Sequence, residues 1–190
     1  MLTRWQALEI IAAVHVRNPI VVTLGATARE LAAVARGDNH LYILDSMGLP
    51  PAIGLGLAMG LSESRIECCV VIEGDGSLLM GLSTLATIGL VKPIKLLLIV
   101  LDNRVYAATG GQATASTAVD LVTLATSCGL GARRADGADE LAAILEDLRN
   151  QSGPHFLYVP ITPDNAQTPL LLEDPVLLAA RFRQFIDDNK

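Results

Sequence analysis

Cysteine is scarce in this chain: of three residues, Cys68 and Cys69 are adjacent and Cys128 stands far away. An odd, unspaced set makes neither a disulfide framework nor a Cys-x-x-Cys metal site, and the three are read as buried thiols. Basic charge is also short. The 14 Lys and Arg are scattered and outnumbered by 20 Asp and Glu, for a net charge of -6. That balance offers no electrostatic footprint for a phosphate backbone, so nucleic acid is excluded as a partner. Long apolar runs are missing: Leu49 to Leu61 and Leu78 to Val91 are interrupted by small, polar or proline residues. Both fall short of the ~20 residues a bilayer requires, and no membrane association is expected. Arg4 and Glu9 interrupt the first apolar stretch, which therefore does not read as a cleavable signal, and a cytoplasmic chain is expected.

What remains is a globular composition. The 190 residues are 51% apolar and 18% charged, enough for one sizeable core and incompatible with disorder. Aromatics make up only 4% and glycines number 16, which implies tight packing of small side chains. The greasy balance also hints at surface covered by a partner subunit or by self-association.

Along the chain, Thr3 and Gln6 have capping-box spacing ahead of a helical period that runs to about Arg17. Ile20 to Leu24 reads as a buried strand. Thr27 and Glu30 repeat the capping-box spacing before a second helix, and His40 to Asp45 reads as another strand. Pro50 and Pro51 suit the first turn of a helix through Leu61. Glu67 to Glu73 is expected as a strand, Gly74 to Ser77 as a turn, Leu78 to Leu90 as a helix, and Lys95 to Leu101 as a strand. A polar loop over Asp102 to Gln112 precedes helices near 121–128 and 140–149, a strand at His155 to Ile161, and a last helix from Asp174 and Pro175. Strands alternating with helices predict an α/β fold with a doubly wound, mainly parallel sheet and helices on both faces. We expect one domain over residues 1–190, with 162–190 forming a linker and C-terminal helix.

The strongest local signal is Gly74-Asp75-Gly76-Ser77 after one apolar strand, coupled to Asp102-Asn103 after the next. The interval between them suits a right-handed crossover, which sets both loops side by side at the carboxyl ends of neighbouring strands, where open α/β sheets bind ligands. A carboxylate and an amide oxygen, with no nearby His or Cys, suit magnesium or calcium rather than zinc. Two side-chain oxygens cannot complete an octahedron, so phosphate oxygens and water are expected to do so. Gly74 and Gly76 allow close backbone approach, and the N–H groups of Gly76 and Ser77 at a helix start face an anion. An isolated Gly-Asp-Gly is commonly just a turn; the second oxygen-bearing loop favours a site.

This combination resembles the metal and diphosphate motif of thiamine diphosphate enzymes. Ser46-Met47-Gly48, Ile53-Gly54-Leu55-Gly56, Ser77-Leu78-Leu79-Met80, and Tyr106 followed by Thr109-Gly110-Gly111-Gln112 most resemble the β subunit of sulfopyruvate decarboxylase and the matching half of phosphonopyruvate decarboxylase. The likeness runs through roughly residues 1–160 and implies a thiamine diphosphate-binding fold of the diphosphate (PP) type. It implies Asp75, Asn103 and the Val105 carbonyl as metal ligands. It places Gly74, Gly76, Ser77, Tyr106 and Ala107 against the cofactor, with Met47 as the wedge that bends it. Asp45, Ser46 and the Met47 amide are implied to meet its pyrimidine. On its own, a Met after a strand is ordinarily a gap-filler. The family usually has Gly where Asp45 stands and Asn where Gly81 stands. The resemblance further implies a separate pyrimidine-binding α subunit that supplies the proton-relay glutamate, so no catalytic side chain is expected here and the chain alone is expected to be inactive. The implied reaction is decarboxylation of a small anionic 3-substituted pyruvate to an aldehyde and carbon dioxide, with the cofactor as electron sink.

Several residues leave alternatives open. Arg29, after the first strand, reads either as a cation for diphosphate or an anionic substrate, or as a partner of Glu30 or a neighbouring subunit. Thr109 to Gln112 reads as an anion-binding nest or a glycine turn. His15, His40 and His155 read as packed side chains. The glycines at 54, 56 and 60 have the wrong spacing for a dinucleotide fingerprint, and three unspaced cysteines cannot ligate the clusters of ferredoxin-linked oxoacid oxidoreductases. The rival functions are an acetolactate synthase-like carboligase subunit, a catalytically silent cofactor-binding partner, and a general nucleotide-binding protein.

Overall fold

Thr3 caps the first helix, α1 (Arg4–Val14): its side chain accepts the Gln6 N–H while the Gln6 side chain accepts the Thr3 N–H. The computed structural model, which describes residues 1–149 and 151–190, thus begins as the spacing predicts. After β1 (Ile20–Val22) comes α2 (Ala26–Val34), then β2 (His40–Tyr42) and α3 (Pro50–Gly60) with proline in its first turn. Next are β3 (Cys69–Gly74), α4 (Asp75–Met80), α5 (Ser83–Val91) and β4 (Leu96–Asp102). A small antiparallel pair, β5 (Val105–Tyr106) and β6 (Gln112–Ala113), precedes α6 (Leu121–Ser127), which Asp120 caps. The chain continues through β7 (Gly131–Arg134), α7 (Ala138–Leu148), β8 (His155–Pro160) and α8 (Pro175–Asn189), the last capped by Asp174.

The main sheet has six strands in the order β2-β1-β3-β4-β8-β7, and every pair is parallel. Alternation along β4 shows why its whole run is apolar. Leu97, Ile99 and Leu101 join a core layer with α1, α2 and α7, while Leu96, Leu98 and Val100 join the other layer with α3, α5 and α6. Burial on both faces is the doubly wound arrangement. Among the described residues no helix is long and apolar enough to cross a membrane.

The structure departs from the expected elements in six places. β1 and β2 stop short of Leu24 and Asp45, because after one further bond each, Thr23 N–H to Ile72 O and Ile43 N–H to Val22 O, the chain turns away at the carboxyl edge. Thr27 does not cap α2; Gly25, at φ 73°, precedes it with no side-chain cap, and Thr27 and Glu30 are buried within the helix. No separate turn intervenes at 74–77, since α4 starts directly at Asp75. The single helix expected over 78–90 is two, interrupted where Gly81 lies against the Gly48 backbone so closely that a Cβ would collide with the Gly48 carbonyl. β7 was not anticipated, because its Gly-Ala-Arg-Arg sequence is that of a polar edge strand. Of the thiols, only Cys69 is fully buried; Cys68 and Cys128 are partly exposed, and all three are free.

Two predictions concern this scaffold. A Cβ on Gly89 would collide with the Cys128 main-chain carbonyl, so Gly89→Ala forces α5 from the end of α6. We expect a loss of about 3 kcal/mol or more in urea unfolding. His15 and His40 are both buried at the amino edge of the sheet, and burial, aided by Arg149 and Arg181 respectively, lowers each to about 4. The unfolded chain then binds more protons than the folded one between those values and the ordinary 6.5, so stability falls as pH drops through that window. Each histidine contributes on the order of 3 kcal/mol to that loss. Unfolding free energies measured across the window are expected to flatten in His15→Gln.

Candidate functional site

The register of β3 on β4 pairs Gly74 with Leu101, so Asp75, at the start of α4, and Asp102, at the end of β4, lie side by side at the carboxyl edge. A cavity of about 200 Å3 opens there. Met47, Gly74, Asp75, Gly76, Ser77, Asn103, Val105, Tyr106 and Ala107 line it, as does Arg29. Asp45, which is exposed, and the half-buried Ser46 are not on its wall. A larger cleft of about 500 Å3 lies at the amino ends of the strands, beside the end of α1 and residues 65–67. We place the site in the smaller cavity because it alone gathers the two oxygen-bearing loops at the edge where crossover sheets bind ligands.

Asp75 is buried, and its Oδ2 accepts from the Thr114 hydroxyl and from Ser116 Oγ at 2.9 Å. Ser116 Oγ also lies 3.1 Å from Asp102 Oδ1, so one hydroxyl sits between two carboxylates. Burial raises the Asp75 pKa, the Thr114 bond opposes the rise, and the Asp102 charge adds to it. Asp102 also accepts the Arg104 N–H and the Tyr158 hydroxyl, both at 2.7 Å, which anchors the turn that follows. Within that turn Asn103 Oδ1 accepts the Val105 N–H at 3.2 Å, and Arg104 takes φ 63°. The Asn103 amide is thereby held in a fixed orientation by its own loop.

Gly76 owes its lack of a side chain to Tyr106, whose ring occupies the place a Cβ would take. Gly74 is different. A Cβ there would meet nothing within 4 Å and would project into open space at the cavity wall. The Ser77 hydroxyl accepts the Gly48 N–H at 2.9 Å and lies 3.3 Å from Thr23 Oγ1, tying the Met47 loop to the start of α4. Beneath them Glu73 is wholly buried, pushed up to about 7 by burial against the bonds from Thr23, Ser77 and Gly74, with Oε2 unpartnered. Thr109 to Gln112 forms the glycine turn between β5 and β6, in which Thr109 Oγ1 donates to Gln112 Oε1 at 3.0 Å. His40 lies at the opposite edge of the sheet against the Tyr42 hydroxyl, 3.1 Å away.

The residues that sequence reasoning missed are Thr114, Ser116, Arg4 and Asn165. Arg4 and Asn165 line the cavity, and Arg4 bonds buried Glu30 at 2.9 Å. No local pattern marks them: Thr114 and Ser116 reach Asp75 only because the β5–β6 hairpin folds back. The donor set of one carboxylate, one amide oxygen and nearby main chain is hard and oxygen-only, and among the described residues no cluster of three or more His, Cys, Asp or Glu forms. Open space at Gly74 beside these donors fits a diphosphate with a divalent cation.

A parallel sheet with a cavity at its carboxyl edge is the architecture of doubly wound ligand-binding domains. The family described as the thiamine pyrophosphate enzyme C-terminal TPP binding domain matches residues 25–159, and the chain belongs to it. It is 39% identical over 182 residues to the sulfopyruvate decarboxylase subunit beta of Methanothermobacter thermautotrophicus, covering 96% of this chain and 94% of that protein. It is 38% identical over 186 residues to the phosphonopyruvate decarboxylase of Streptomyces hygroscopicus, covering 96% of this chain but 45% of that longer protein. Among solved structures, a putative thiamin diphosphate-dependent enzyme from Mycobacterium smegmatis superposes with a TM-score of 0.72 at 20% identity, over 85% of this chain and 32% of that one. That likeness shows the fold.

Proposed function

We propose that this chain is the diphosphate- and magnesium-binding half of a two-chain thiamine diphosphate-dependent decarboxylase of a 3-substituted 2-oxo acid. The observation that carries the reading is the convergence of Asp75 and Asn103 on one cavity beside the open face of Gly74. In this reading Asp75 Oδ, Asn103 Oδ1 and the Val105 carbonyl hold Mg2+, and Ca2+ meets the same donor set. The cation's charge offsets the repulsion between Asp75 and Asp102. Gly74, Gly76, Ser77, Tyr106 and Ala107 receive the diphosphate end, while Asp45, Ser46 and Met47 serve the pyrimidine end, with Met47 as the wedge. When bound, the cofactor supplies the electron sink for loss of carbon dioxide. The protein binds it, orients it and excludes water.

The partner is a pyrimidine-binding polypeptide. The name of the Methanothermobacter relative as a β subunit and the greater length of the Streptomyces relative both support this. Exposed Met59, Met80 and Leu90 give such a partner, or a second copy, apolar surface to cover. The substrates we favour are sulfopyruvate and phosphonopyruvate. The test mixes the chain with a pyrimidine-binding partner and follows carbon dioxide and aldehyde release from each acid, with either chain alone as control. Aldehyde formed only by the mixture supports the reading. An acetohydroxy acid product would instead make the chain a carboligase subunit, and cofactor binding without turnover would make it a silent partner.

A further inference from the structure

Among the described residues two arginines line the carboxyl-edge cavity, and only Arg4 is already engaged by side-chain partners. Arg4 gives its Nη1 to Glu30 and to Asn165, at 2.9 and 2.8 Å. Arg29 has no carboxylate partner among the described residues, and its Nε is buried without an acceptor. The pairing with its neighbour Glu30 is pre-empted, because that carboxylate takes Arg4 and the Ala166 N–H at 3.1 Å. An arginine held at a cavity wall with an unanswered N–H is an incomplete hydrogen-bonding arrangement. The nine-residue helix α2 that carries it also opens on the cavity through Gly25, Ala26 and Thr27, and no side chain caps that end. A guanidinium fork beside free main-chain N–H groups matches an anion with several equivalent oxygens.

We propose that Arg29 is the specificity residue that receives the tetrahedral oxyanion at the tail of the substrate, a sulfonate or a phosphonate. The assignment of that anion to a 2-oxo acid rests on the decarboxylase reading above; the anion site itself rests on Arg29 and the cavity. Asp75 and Asn103 serve the metal and diphosphate in that reading, which leaves Arg29 as a cation on the wall that is unpaired among the described residues. A tail with three oxygens accepts both edges of the fork and a main-chain N–H as well. An uncharged tail leaves the buried N–H unanswered and is rejected for that reason.

The test uses the full chain labelled with 15N, loaded with Mg2+ and thiamine diphosphate, and titrated with sulfoacetate, which carries a sulfonate but no reactive ketone. Pyruvate is the control, and cofactor affinity is measured by calorimetry in parallel. We expect sulfoacetate, not pyruvate, to move one arginine Nε–H resonance that is absent from Arg29→Gln. That variant should bind sulfoacetate at least about tenfold more weakly, Arg29→Lys should recover part of the loss, and cofactor affinity should stay within about twofold. Because the Arg29 side chain makes no hydrogen bond or ion pair among the described residues, and its main-chain bond to Gly25 is kept in any variant, its replacement removes none. An unmoved Arg29 resonance, or equal sulfoacetate affinity in Arg29→Gln, would overturn the proposal. So would a parallel drop in cofactor affinity, which would assign Arg29 to the diphosphate. If the native chain binds no thiamine diphosphate yet still binds sulfoacetate through Arg29, the decarboxylase reading falls and the anion site stands.

Discussion

Asp75→Asn is expected to abolish magnesium-dependent binding of thiamine diphosphate while making the ligand-free chain more stable. The two effects have one cause. Asp75 is buried beside Asp102, and burial together with that neighbouring charge raises its pKa, so its ionised form is disfavoured in the folded chain. A group with a raised folded pKa favours the fold below the ordinary carboxylate range and loses that contribution as pH rises. Asparagine removes the charge but keeps an oxygen for the Thr114 and Ser116 hydroxyls, so the unfolding midpoint should rise, and by more at higher pH. A dication reverses the balance, because it needs the carboxylate as a ligand and neutralises its repulsion. Outer-shell changes around metals typically cost about 10- to 100-fold, so loss of this ligand should cost at least about 100-fold in cofactor affinity at saturating magnesium. A variant that bound the cofactor normally would remove Asp75 from the metal site. One that was destabilised would mean that the carboxylate serves the fold instead.

Arg4→Ala should be the most damaging polar substitution in the scaffold. Arg4 and Glu30 are 5% and 1% exposed, and their contact is joined by Asn165 and by the Ala166 N–H, which pins the segment after β8 across the cavity wall. Removing the cation leaves Glu30 buried with no opposing charge. Breaking such pairs costs about 3–5 kcal/mol, whereas replacing both partners with apolar side chains of similar volume is far milder. For a chain of this size that loss corresponds to roughly 6–20 °C in melting temperature. The double variant Arg4→Met with Glu30→Leu should recover most of it. Thermal unfolding of the three proteins checks the pattern, and a loss under about 1 kcal/mol in Arg4→Ala would show that water already reaches the pair.

The fold was legible wherever one residue type dominated a short segment. The apolar run at 95–101 requires burial on both faces, and β4 has it; Thr3 with Gln6 caps a helix, and so does Asp174. The same logic failed at Thr27 and Glu30, whose capping-box spacing was overridden because Arg4, distant in sequence, captured the glutamate. It failed again at Gly81, where packing against Gly48 splits a helix that periodicity alone would continue. In the site, Asp75 and Asn103 could be found because strand ends and crossover geometry bring them together. Thr114 and Ser116 could not, since their approach to Asp75 depends on a hairpin whose strands are only two residues each. For Gly76 the sequence suggested an approaching anion, and the structure supplies the Tyr106 ring as a further reason for the missing side chain.

The central claim is that the carboxyl edge of β3 and β4 is a cation-dependent diphosphate site. Calorimetric titration of thiamine diphosphate into the native chain, with magnesium and then with a chelator, tests it most directly. With magnesium the native chain is expected to bind one cofactor, and without it to give no measurable heat of binding. Binding that ignored the chelator, or that adenosine or guanosine nucleotides displaced, would contradict it.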